Sequence, residues 1–391
     1  MKDLFYLNPE ITFLNHGSFG ACPKPIFEAY QHFQVELERE PVNYITVETP
    51  RLLKESRKAL ANFISCHEDD LVYVQNPSTA YNIVIKNLKL QPGDEILTTD
   101  HEYGAMDRTW NYYCRKSGAK YVQQKISLPL LSKEQFIEEF WKGLTPKTKI
   151  IFISQITSST ALIFPVKEIC DKAKELGLMT IVDGAHVPHH IDLNLSELKA
   201  DIYTGACHKW MLTPKGCSFL YVKRELQHLF DPLIISWGYE AEFPSTSQFI
   251  DYHEYQGTRD SAAFLTVPKA LEFLEKNNWT EVKKNCRNFI QDTYAEMCDF
   301  LNTKPICKIS DEFLGQMCSI PIQTTDGIKL KEMLYNQYKI QIPVMRTNLE
   351  FEGNKNQVFI RISANAYTTR KDIETLKSAI RDIKLNHSLI K

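Results

Sequence analysis

The segment TIVDGAHVPHHIDLNLSELKADIYTGACHKWMLTPKGCSFLYV, residues 180–222, carries an acid and an amine in contrasting local settings. A short apolar run, Thr180-Ile181-Val182, ends on Asp183. A second predicted strand, Ala200 to Thr204, is followed by His208-Lys209-Trp210. A carboxylate just past one strand and a lysine in the loop past another can grip two ends of one flat cofactor. The amine would form a Schiff base with an aldehyde, and the carboxylate would keep a ring nitrogen protonated and electron-withdrawing. Pyridoxal phosphate is the cofactor with those needs. Taken alone, the pair reads more simply as a helix cap and a surface lysine, so the neighbouring elements have to decide.

Those elements supply the rest of a cofactor site. The predicted strand Leu71-Val72-Tyr73-Val74 runs into Gln75-Asn76-Pro77-Ser78-Thr79-Ala80 and then a helix that buries Ile83, Val84 and Leu88. The first N–H groups of a helix are unpaired and its dipole favours an anion, so Ser78 and Thr79 open a ready phosphate site. By itself the same stretch is more simply an N-cap by Ser78. Strand Ile96-Leu97-Thr98 ends in Asp100-His101-Glu102-Tyr103-Gly104, where an aromatic group can stack on a ring, or His101 can be a satisfied loop histidine. Strand Lys149 to Ile153 leads into Thr157-Ser158-Ser159-Thr160. Between these lie a strand from Lys120 to Val122 and helices from Ser132 to Lys142 and Val166 to Leu176, the last stopping at Gly177. Strands alternating with helices from about 70 to 220 predict an α/β fold with a mostly parallel, doubly wound sheet. Ligands of such sheets sit beyond the carboxyl ends of the strands, where Ser78, His101, Ser158, Asp183 and Lys209 are all expected to fall.

Residues 1–25 read as an irregular arm lining the site, residues 26–262 as a large α/β domain and residues 263–391 as a smaller α+β domain. Helices are expected from Pro25 to Glu40 and Pro50 to Ser65, and loops from 231 to 262. Further helices are expected from Ala262 to Lys276 and Val282 to Leu301. The smaller domain also carries strands at Met317 to Pro321, Ile340 to Val344 and Val358 to Ser363, and a closing helix. A chain of 391 residues suits such a division. A net charge of −2 with no basic block argues against nucleic-acid or membrane-surface partners. No apolar run approaches the roughly 20 residues that span a bilayer. The first residues lack the apolar core of a secretion signal. The ten cysteines are scattered with no Cys-x-x-Cys pair, which predicts reduced thiols in a cytoplasmic enzyme. His186, His189 and His190 lack an acidic or cysteine ligand at a familiar spacing, so no metal is expected.

The motifs LNHGSFGACP, NPSTAYN, PGDEILTTDHEYGA, SQITSSTALIFPV, VDGAHVP, YTGACHKWMLTPKG, QGTRD and VFIRISANAY occur in that order nearly end to end. Together they resemble the fold type I pyridoxal-phosphate enzymes of the class V aminotransferase superfamily, and within it the isopenicillin-N epimerase-like branch. The resemblance implies a seven-stranded-type sheet and the cofactor pyridoxal 5′-phosphate. It implies that Lys209 holds the cofactor covalently and shuttles the Cα proton, that Asp183 pairs with the ring nitrogen, and that His186 bonds the ring hydroxyl. His101 or Tyr103 would stack on the ring, and either could be a second acid. Ser78, Thr79 and His208 would hold the phosphate, and Ser158 would sit near the ring hydroxyl. Thr258 would reach the phosphate of a neighbouring subunit in a homodimer. Arg361 would clamp the α-carboxylate of an amino-acid-type substrate through two hydrogen bonds, and Asn15 and Ser18 would border that substrate. One departure stands out. Relatives often carry Ser or Asn two or three residues before the lysine, where this chain has Ala206-Cys207, which puts a phosphate or structural hydrogen bond in doubt.

Once Lys209 removes a Cα proton, three outcomes diverge. Reprotonation on the other face is epimerisation or racemisation, loss of a β-sulfur group is a Cβ–S lyase reaction, and protonation on the cofactor is transamination. The reading adopted is epimerase-like, with the lyase next, a class V aminotransferase third, and a cofactor-binding scaffold as the non-enzyme alternative. Neither Cys307 nor Cys318 sits in the small-residue loop of a cysteine desulfurase.

Overall fold

The computed structural model describes residues 1–390. Seven short runs rich in apolar and β-branched residues form the main sheet: β1 (Leu71–Val74), β2 (Glu95–Thr99), β3 (Lys120–Gln124), β4 (Thr148–Ser154), β5 (Met179–Gly184), β6 (Ile202–Ala206) and β7 (Ser218–Val222). Their spatial order is β1-β7-β6-β5-β4-β2-β3. The strands from β2 to β6 pair in parallel. β7 is antiparallel to both its neighbours. The link from β6 to β7 is too short for the crossover that parallel strands need, so the chain must turn back, and Lys209 lies in that turn. Helices cover both faces, which is why β1, β2, β6 and β7 are buried at every position. Edge strand β3 is buried at none of its positions and keeps Lys120 and Gln123 exposed.

The order of the strands reverses between β2 and β4, the place where an open α/β sheet presents a ligand crevice. Helix α1 (Pro77–Asn87) leaves the end of β1 and α2 (Gly104–Ser117) leaves the turn after β2. A second, antiparallel sheet has the order β9-β10-β8, from β8 (Met317–Ile322), β9 (Val344–Arg346) and β10 (Val358–Ser363). It packs on α3 (Trp279–Leu301), which buries Cys286, Ile290, Tyr294 and Met297. The last helix, α4 (Arg370–His387), buries Ile373, Leu376, Ile380 and Ile383. One apolar cluster is continuous from Leu97 and Val182 of the large sheet to Ile320 and Ile360 of the small one. The other face of the large sheet forms a second cluster around Phe152, Ile181 and Trp110.

Four expectations need revision. The arm is not irregular: Thr12–Phe13 pairs in parallel with Ile340–Gln341, and His16–Phe19 forms one helical turn. The strand expected from Ile340 to Val344 is therefore split at Pro343. Its first half holds the arm and its second half joins the small sheet. The helix expected from Ala262 to Lys276 breaks at Thr266, before Pro268, whose ring and missing N–H disfavour an uninterrupted helix. The segment 231–262 contains a helix, Gln248–Glu254, capped by Ser247. A further helix, Gly327–Asn336, capped by Asp326, lies in the small region and had no counterpart in the sequence reading. Position 391, the end of the expected second domain, lies outside the described residues.

Candidate active site

The carboxyl edge of the large sheet opens into a crevice of about 650 Å³ including its mouth. Asp183, at the end of β5, and Lys209, in the β6–β7 turn, both line it. Asp183 Oδ1 accepts the Ala185 N–H at 2.8 Å, and no described residue bonds its other oxygen. Burial pushes its carboxyl upward, opposed by that N–H and by the charge of Lys209. Lys209 Nζ lies 3.1 Å from His186 Nε2. Burial, assisted by the charge of Arg361, brings the lysine down from 10.5 to about 7, with Asp183 opposing. The neutral amine that attacks an aldehyde is thus abundant near neutrality.

The turn around Lys209 is held by the arm. His16 Nε2 bonds the Lys209 carbonyl at 3.0 Å, while His16 Nδ1 meets the Tyr367 hydroxyl at 2.7 Å. Gly20 lets the arm lie this close. Its φ is +69°, and a Cβ there would stand 2.1 Å from the His208 carbonyl oxygen.

At the other end of the crevice, the cap of α1 is Asn76 rather than Ser78: Asn76 Oδ1 accepts the Thr79 N–H at 2.9 Å and the Thr79 hydroxyl at 3.2 Å. Thr79 is occupied by this cap and does not line the crevice. Ser78 does, with its hydroxyl free of protein partners among the described residues. His208 also lines it, its Nδ1 bound to the Cys217 carbonyl at 3.0 Å and its imidazole kept neutral, at about 4, chiefly by burial.

A family model described as aminotransferase class-V matches residues 20–376. The chain belongs to the class-V aminotransferase family. This class-V protein is 30% identical over 388 residues to an isopenicillin N epimerase of Streptomyces clavuligerus, covering 96% of the chain and 95% of that protein. It is 25% identical to a probable chloroplastic L-cysteine desulfhydrase of Arabidopsis thaliana, over 96% of the chain and 83% of that protein. Among solved structures it is similar to an apo cysteine desulfurase from Thermococcus onnurineus NA1. That likeness has a TM-score of 0.80 and 18% identity, and covers 98% of this chain and 96% of the other. The fold is that of fold type I enzymes, and the cofactor is pyridoxal 5′-phosphate.

The class-V residues fit that group. Within one crevice stand a low-pKa amine, a buried acid with a free oxygen, and an unpartnered Ser78 at the N-terminus of an 11-residue helix. The imidazole of His186, bonded to Lys209 through Nε2, has its Nδ1 buried without a partner among the described residues, and Ala185 also lines the crevice. The crevice also takes in side chains that sequence reasoning gave no role: Phe19 at the mouth, Met106, Ser154 and Ile156.

Several site expectations meet a different geometry. His101 does not line the crevice. Its ring nitrogens bond Thr160 Oγ1 at 3.0 Å and the Ile126 carbonyl at 3.3 Å, and the residue is buried against Phe164. With both ring nitrogens bonded, it has the setting of a satisfied loop histidine. Tyr103, two residues on and 49% exposed, lines the crevice instead. Arg361 is buried and does not itself line the crevice. Its Nη1 donates to the Ser158 carbonyl at 2.6 Å and its Nη2 to Ser18 Oγ at 3.0 Å. Ser18 in turn donates to Asn15 Oδ1 at 2.6 Å. Ser18 and Ser158 are the members of this chain that reach the crevice. Ala206 and Cys207 are fully buried, and Thr258 is exposed outside the crevice. Among the described residues no group of three or more His, Cys, Asp or Glu is placed to hold a metal, and no helix is long and apolar enough to cross a membrane.

Proposed function

We propose that this class-V protein is an epimerase or racemase acting at Cα of an amino acid or amino-acid conjugate. Bound pyridoxal phosphate would serve as the electron sink that makes a Cα proton removable. Lys209, neutral over much of the physiological range, would take that proton. Asp183 would hold the ring nitrogen protonated, and His186 would bond the ring hydroxyl. Ser78 and His208 would hold the phosphate, with Asn76, bonded to Thr79, capping α1. Arg361, through Ser18 and Ser158, would orient the substrate carboxylate. The observation that carries the epimerase reading is a second proton donor in the crevice, the Tyr103 hydroxyl. The full-length likeness to an isopenicillin N epimerase agrees with it.

Tyr103→Phe is expected to keep Cα exchange with solvent while inversion falls by about 10²-fold, since only the second-face protonation is lost. The direct test is an amino-acid panel in deuterated water, with products resolved by mass and chirality. Deuterium at Cα with inverted configuration supports the proposal. Pyruvate from cysteine conjugates without inversion would replace it with the second reading, a Cβ–S lyase, which the desulfhydrase relative favours. Keto acid with conversion of the cofactor to its amine form would indicate transamination. No exchange with any amino acid would indicate a scaffold.

The site would be completed by a second copy of the chain. Trp237 and Phe243, 76% and 88% exposed, stand beside a groove that also holds the buried Arg57–Glu254 ion pair. Thr258 sits next to that groove, where it could serve the other subunit's phosphate. A mass in solution of twice 45.3 kDa is expected, and a stable, active single chain would refute the shared site.

A further inference from the structure

β2 and β4 are paired only as far as Leu97 and Ile151, although β2 continues to Thr99 and β4 to Ser154. The gap lies at the reversal of strand order, on the floor of the crevice. One side chain turns back from the β2–α2 turn to fill it. Glu102 Oε2 accepts the Ser154 N–H at 3.0 Å and the Ser154 hydroxyl at 2.5 Å, and Glu102 Oε1 lies 2.7 Å from Thr99 Oγ1. The carboxyl group thereby takes the place of the strand pairing that is missing.

Glu102 is 7% exposed, and no described Lys, Arg or His stands within ion-pair distance of it. A buried carboxylate without a cation is costly. Burial pushes Glu102 up to about 8, against the pull of its Ser154 and Thr99 bonds, and the Asp183 charge adds to the push. Ser154, which Glu102 holds, lines the crevice and is the register partner of Asp183 across β4 and β5.

We propose that Glu102 is a positioning residue of the cofactor crevice: an uncharged carboxyl group that spans the β2–β4 gap and fixes Ser154 beside Asp183. With its proton on Oε1, shared with Thr99, the carbonyl oxygen Oε2 receives both Ser154 donors. A glutamine reproduces that pattern, with its amide N–H groups toward Thr99 and its oxygen toward Ser154. Glu102's role does not depend on which reaction follows cofactor binding.

The test is pyridoxal-phosphate binding to the apo protein, followed by fluorescence quenching, together with the visible absorption of the loaded protein. Glu102→Gln should bind cofactor within about twofold of wild type and keep its absorption band. Glu102→Ala, which leaves the buried Ser154 N–H unpaired, should bind at least about fivefold more weakly and shift the band. Ser154→Ala should weaken binding in the same direction. The double variant should be no worse than the weaker single, because the two residues act as one unit. If Glu102→Gln loses as much as Glu102→Ala, the residue acts through charge and the proposal fails. If Glu102→Ala binds within twofold of wild type, the residue has no positioning role. Should circular dichroism show Glu102→Ala unfolded, Glu102→Gln and Ser154→Ala decide. Normal binding and absorption in Ser154→Ala, or impaired binding in Glu102→Gln, would overturn the proposal.

Discussion

Lys209→Ala is expected to fold, to take up pyridoxal phosphate without a covalent bond, and to lose at least roughly 10⁴-fold in turnover. The turn that carries Lys209 is fixed through its main chain, by the His16 bond to its carbonyl and the close approach of Gly20, and the side chain contributes nothing to either. Ser78 and His208, proposed to hold the phosphate, and the acid at Asp183 also remain in the crevice. What disappears is the sole amine that lines the crevice among the described residues. A second measurement separates this effect from misfolding. Between about 7 and 10.5 the unfolded chain keeps a proton on this lysine that the folded chain has released. Stability of the apo protein therefore rises with pH across that window, and Lys209→Ala should lack the rise. A variant that retained a tenth of wild-type turnover would show that another base removes the Cα proton.

Asp183→Asn should retain the covalent cofactor but slow Cα proton removal by roughly 10²–10³-fold. The asparagine oxygen can still accept the Ala185 N–H, so the end of β5 keeps its geometry. A neutral amide cannot keep the ring nitrogen protonated, and the electron sink weakens. The sign of the stability effect is opposite to that of activity. Burial raises the Asp183 carboxyl, so above its ordinary value of 3.8 the folded chain holds a proton that the unfolded one has lost. Stability falls as pH rises through that interval, and the cost persists above it. Apo Asp183→Asn escapes that cost and should melt higher than wild type near neutrality. Near-normal exchange rates in this variant would refute the electron-sink role.

Much of the site was legible because each part follows a strand whose apolar run is short and sharply ended. β1 and β10 occur at the expected residues, and β5 stops one residue beyond Asp183. In a parallel sheet those ends lie on one edge, so Ser78, Ser158, Asp183 and Lys209 had to come together. Neighbouring positions in a turn could not be resolved in the same way. His101 and Tyr103 are both aromatic groups past β2, and their fates depend on Thr160, 59 residues later, which captures the His101 ring. Asn76 and Ser78 are both good capping types, and only the backbone of Pro77 at the first helical position assigned the cap to Asn76.

By itself the amino-acid order determined an α/β sheet with a lysine and an acid at its carboxyl edge, and its ordered motifs carried the resemblance that implied the cofactor. The sheet and its edge follow from local periodicity and residue chemistry, which act within a strand, a turn or a helix end. Only the tertiary structure decided which aromatic side chain enters the crevice, that the arm is tied to Ile340–Gln341 and to the Lys209 carbonyl, and that Glu102 closes the gap between β2 and β4. Each of those depends on partners far apart in the chain, brought together when the two sheets bury a shared core. Spacing along the sequence carries no record of such meetings.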